Sequence, residues 1–111
     1  MRGKSYIRSA TTIGGAALLV ATAAWAGPSM STRWTSTTLD KDACIERAKD
    51  AVRNSGFTKN FEVVNTTVFG ERGAYTSAVR CAAEKEIVFF VVAGPQAKEA
   101  SAYNASIADK F

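Results

Sequence analysis

Apolar positions change period along the chain, from a helical spacing to an alternating one and back. Cys44, Ala48, Ala51 and Val52 fall at i, i+4, i+7 and i+8, while Arg47, Lys49, Asp50 and Arg53 lie mostly off that stripe. This spacing predicts an amphipathic helix over 41–55 with Cys44 facing the core. Its ends carry matching signals. Asp40 suits the N-cap, Leu39 and Cys44 can close a hydrophobic staple, and Gly56 is a natural residue just past the C-terminus. Beyond it, Phe61 to Phe69 reads as a strand, Gly70-Glu71-Arg72-Gly73 as a turn, and Ala74 to Ala83 as a second strand with Tyr75, Ser77, Val79 and Cys81 on one face.

Glu84-Lys85 makes the next turn, and Ile87 to Ala93 is an uninterrupted apolar run whose length and composition predict a strand covered on both faces and central to the core. Gly94-Pro95 ends it. Pro95 is expected at the first position of a second helix, in which Ala100, Tyr103, Ile107 and Phe111 recur at helical spacings. Ahead of the first helix, residues 27–38 form a polar, Ser- and Thr-rich segment around Trp34 whose β-branched residues allow an edge strand without demanding one. The expected fold is therefore α+β: one domain over 39–111, with an antiparallel three- to four-stranded sheet packed with two helices. Strand order stays open.

The first 26 residues follow a different grammar. Arg2, Lys4 and Arg8 precede an uncharged stretch dominated by Ala, Leu, Val and Ile from Ala10 to Ala24, and Ala24-Trp25-Ala26 places small residues where a signal peptidase reads them. This predicts a signal peptide over 1–26, cleaved before Gly27, and a periplasmic or secreted destination. The apolar core is shorter than the roughly 20 residues a spanning helix needs and is diluted by Thr11, Thr12, Gly14 and Gly15, so no stable membrane insertion is expected after cleavage. An uncleaved N-terminal anchor in the envelope is the alternative.

Cleavage also changes the charge argument. The full chain has 14 Lys and Arg against 10 Asp and Glu, for a net +4, but without the leader 11 basic residues face the same 10 acidic ones. A nearly neutral domain with singly scattered cations is not expected to bind nucleic acid. Histidine is absent, which excludes Ser-His-Asp triads, Cys-His dyads and His-bearing zinc or haem motifs. Cys44 and Cys81 lack C-x-x-C spacing and, in an oxidising compartment, are expected to form one disulfide. Closing that loop destabilises the unfolded chain by roughly 4 kcal/mol in the chain-entropy model.

Cys44 with Ala48, Gly73-x-Tyr75 followed by Cys81, and Phe89-Phe90-Val91-Val92-Ala93-Gly94-Pro95 together resemble small exported bacterial proteins of unknown function. The resemblance covers roughly residues 27–111. Its motifs are structural, so it implies export and a fold but no activity, cofactor or site residue.

Candidate functional residues are few. Glu84 and Glu86 flank a turn and could divide acid and base roles in a small carboxylate-dependent hydrolase or lyase, although turn acids ordinarily serve only as solvated charges. Asp40 and Asp42 belong to a helix start, where acids satisfy free amides. Asn65-Thr66-Thr67 and Asn104-Ala105-Ser106 match the glycosylation pattern, which carries meaning only in a host with that machinery. Trp34 is a large aromatic in a polar segment, Glu71 and Arg72 sit at an expected hairpin tip, and Val88, Phe90 and Val92 form one of two apolar faces on the same strand. Those six residues are the candidate partner surface. If both helices lie on one side of the sheet, the other side exposes a patch suited to self-association or an unknown protein partner. The expected function is an exported, non-enzymatic binding or accessory domain without cofactor or metal.

Overall fold

The computed structural model describes residues 27–111; the expected signal peptide and its cleavage site lie outside the described residues. The elements, in order, are β1 (Ser29–Ser36), α1 (Lys41–Asn54), β2 (Lys59–Val64), β3 (Thr67–Arg72), β4 (Tyr75–Ala82), a 3-10 turn (Ala83–Lys85), β5 (Ile87–Gly94) and α2 (Ala97–Lys110). The fold is α+β with one five-stranded sheet, β1-β5-β4-β3-β2, antiparallel throughout. Strands β2 to β5 form a meander, and β1 returns to the far edge beside β5, with α1 crossing the sheet between β1 and β2.

Helix α1 forms where the caps specify it. The Asp40 carboxylate accepts from the Ala43 N–H at 2.8 Å, and Gly56 takes φ +85° immediately after the Ser55 cap, a conformation that costs glycine little. Its buried residues are the four of the predicted stripe, Cys44, Ala48, Ala51 and Val52. Strand β4 alternates as expected, with Tyr75, Ser77, Val79 and Cys81 turned to the helices. Cys44 and Cys81 are joined, with Cα atoms 6.1 Å apart, clipping α1 to the central strand.

Two expectations about strands are corrected. The span Phe61 to Phe69 is not one strand but parts of two, because Val64-Asn65-Thr66-Thr67 turns the chain, with Asn65 at φ 55°. Asn tolerates that left-handed conformation better than most residues. The extra hairpin raises the sheet to five strands, and Gly70 to Arg72 become strand residues, leaving Gly73 and Ala74 to connect β3 to β4. In β5, the apolar run is covered on one face only. Val88, Phe90 and Val92 are buried, whereas Ile87, Phe89, Val91 and Ala93 face away from the helices. Its covered side is central to the core, as expected, and the middle strand of the sheet is β4.

Helix α2 begins at Ala97 after a Gln96 cap, so Pro95 precedes the helix rather than opening it. Ala100 and Ile107 are buried, and Tyr103 and Phe111 pack against the same core, following the predicted stripe. Asn104 adds a polar member to it. Fully buried, it donates through Nδ2 to the carbonyls of Ser31 (3.0 Å) and Phe90 (3.2 Å) and lies 3.2 Å from Ser31 Oγ, fastening α2 across β1 and β5. Among the described residues its Oδ1 has no partner. Burial also removes Asn104 as a glycan acceptor.

A second polar tie closes the other end of α2. Tyr75 Oη donates to Glu99 at 2.7 Å and accepts the Gln96 N–H at 3.2 Å. Burial, with the Glu99 hydrogen bond second, pushes the Tyr75 hydroxyl above its ordinary value. The Tyr75 ring fills the space beside Gly94, where any Cβ would overlap it, and packs edge-on to Tyr103 at 5.1 Å. Phe57 also packs edge-on to Tyr103, at 5.4 Å.

Candidate functional site

Both helices cover the same side of the sheet: α1 packs on β3 and β4, and α2 on β1 and β5. Residues paired across neighbouring antiparallel strands share a face, so the register maps the uncovered side row by row. One row runs Trp34, Phe89, Arg80, Thr67, Val64 from β1 to β2. The next is Thr32, Val91, Ala78, Phe69, Glu62, and the third is Met30, Ala93, Thr76, Glu71, Lys59. Ser36, Ile87 and Ala82 continue the surface at the Trp34 end.

This face is apolar at its β1 and β5 side. Trp34, 61% exposed, is paired with Phe89, 45% exposed, and Met30, 65% exposed, lies two rows away opposite Ala93, with Val91 between them on β5. Single exposed apolar residues are ordinary, but contiguous ones on a flat surface mark a contact site. The remainder mixes apolar Phe69 and Val64 with small or hydroxylated residues, and its charges are Arg80, Glu62, Glu71 and Lys59. Among the described residues β1 is an edge strand, eight residues long and without proline, and its Ser31 carbonyl accepts from Asn104.

The six candidate surface residues separate accordingly. Trp34 and Glu71 lie on the open face. Val88, Phe90 and Val92 do not, because they are the even-numbered side of β5 and form core beneath the helices; the exposed apolar set on that strand is the odd-numbered one. Arg72 points to the helix side. Its Nη1 donates to the Ser55 carbonyl at 2.8 Å and its guanidinium lies 4.8 Å from the Tyr103 ring centroid. Glu71 instead accepts from Asn60 Nδ2 at 2.9 Å, which ties β3 to the edge strand β2. Met30, Phe89 and Arg80 also belong to this face; Phe89 is not legible from the sequence, since alternation alone cannot say which face of a doubly apolar strand is covered.

Glu84 sits in the 3-10 turn and Glu86 ends it at φ 57°; both are exposed. Near Glu86, an open cleft of about 350 Å³ is lined by Ser36, Thr37, Thr38, Leu39, Arg47 and Glu86. Its one cation is already engaged: Arg47 donates to the Phe111 carbonyl and lies over the Phe111 ring at 4.8 Å. Thr37 is likewise used, through its N–H to the Glu86 carbonyl and its Oγ1 to the Leu39 N–H. The cleft is thus the junction that holds β1, α1 and the end of α2 together.

Among the described residues, no helix is long and apolar enough to cross a membrane, and no three Cys, Asp or Glu side chains are grouped to hold a metal ion. Both cysteines are committed to the disulfide. No protein-family model, curated protein or solved structure matches the chain.

Proposed function

We propose that this chain is an exported, non-enzymatic binding or accessory domain that works through protein contacts made by the open face of its sheet. The observation that carries the reading is the one-sided helix layer, which leaves Trp34, Met30 and Phe89 exposed together on paired strands. Large aromatic side chains bring much contact area with few torsions to freeze, so they anchor interfaces effectively. The disulfide and the signal-peptide pattern of residues 1–26 support delivery to an oxidising compartment, periplasmic or extracellular.

The test is photo-crosslinking in intact cells. A crosslinking amino acid at position 32, between Trp34 and Met30 on the open face, is expected to give protein adducts, whereas one at position 46, on the exposed side of α1, is expected to give none. Adducts from position 46 alone would overturn the reading. Export is tested by intact mass: a chain beginning at Gly27 supports it, and one beginning at Met1 supports the envelope-anchored alternative.

A further inference from the structure

We infer that the occupant of the open face is a second copy of this chain, apposed sheet to sheet about a two-fold axis. The inference rests on the contact reading above and names its partner.

Three properties of the face point to itself. The first is size. Five strands at about 4.8 Å spacing and up to eight residues at roughly 3.3 Å each give a footprint of roughly 20 by 25 Å. Apposing two such faces removes on the order of 1,000 Å² of surface in total, near the lower bound for a specific interface.

The second property is relief. The Trp34-Phe89-Arg80 row is tall, and the neighbouring Thr32-Val91-Ala78 row is low. A two-fold axis lying in the interface across the strands exchanges neighbouring rows, setting the tall row of one copy over the low row of the other. Because a two-fold interface repeats every contact, one such fit is made twice.

The third is charge. Arg80 and Lys59 balance Glu62 and Glu71 on this face, so joining it to itself brings no net like-charge repulsion. Phe89 then lies between the sheets of a two-sheet sandwich, with Trp34 toward its β1 edge and a helix layer outside each sheet, an arrangement that covers the β5 face left open in the single chain.

The experiment is sedimentation equilibrium on the oxidised protein purified after export, from about 1 to about 200 µM, a range spanning dissociation constants typical of a modest interface. The expected result is a monomer–dimer equilibrium with a micromolar constant. Trp34→Ser and Phe89→Thr are each expected to weaken it at least about tenfold, with Glu46→Ala on α1 unchanged and near-native circular dichroism in all three. A monomer throughout the range overturns the inference. So does a dimer indifferent to Trp34→Ser and Phe89→Thr, which would assign the contact to the β1 edge or to a helix. Failure here remains distinct from failure of the contact reading: a monomer whose position 32 crosslinks to a foreign protein keeps that reading and removes only the second copy.

Discussion

The two faces of the sheet share strands but not roles, and β5 shows the contrast within eight residues. Phe90 is buried and Phe89, next in the chain, is 45% exposed. The covered side holds Val88, Phe90, Val92, Val79 and the disulfide, with polar groups such as Asn104 and Tyr75 held by hydrogen bonds. On the open side, similar apolar residues lie beside Thr32, Thr76 and Arg80 without a layer above them. Apolar content is therefore not one quantity in this domain: one face stabilises the fold, and the other, among the described residues, has no helix over it.

Substituting the adjacent phenylalanines breaks this comparison most directly. Phe90→Ala is expected to cost about 4 kcal/mol in urea denaturation, as truncating a buried aromatic leaves a cavity. Phe89→Ala should cost no more than about 0.5 kcal/mol in the monomer; equal losses would mean that the two faces are not distinct. The disulfide sharpens the covered side. Replacing Cys44 and Cys81 together by Ala is expected to lower stability by roughly 4 kcal/mol in the chain-entropy model, read by the same denaturation, because the bond joins α1 to β4.

Asn104 tests how the edge strand is attached. Asn104→Ala removes the donor shared by Ser31 and Phe90, and a loss of about 2 kcal/mol is expected, with faster hydrogen exchange of β1 amides than of β4 amides. The smallest effect concerns Tyr75. Its pKa is raised in the folded state, so the neutral hydroxyl is favoured there. The resulting stability is present below the ordinary tyrosine value and is lost as pH climbs through the raised one. Tyr75→Phe should flatten that alkaline decline, measured as the change in thermal midpoint from neutral to strongly alkaline pH.

Much of the fold follows from periodicity. The α1 stripe, its Asp40 cap, the β4 alternation, the α2 stripe and the Cys44–Cys81 pair all emerge because each is a local pattern or its direct consequence. What escaped was non-local or conformational. The Asn65 turn lies inside an apolar-rich run and depends on one left-handed residue rather than on glycine. The buried face of β5 depends on where the helices dock, and a run apolar on both sides holds no information about that. Asn104 looks like a surface residue until Ser31 and Phe90 are brought beside it. For the site, Trp34 and Glu71 could be singled out as candidates, but their shared face appears only once β1 is registered against β5 and the meander.

Stability and association measured together on Phe89→Thr give the most direct test of the division between the faces. The account predicts a monomer as stable as the unsubstituted chain and a dimer weakened at least about tenfold. A variant that unfolds more readily yet associates as before would contradict it.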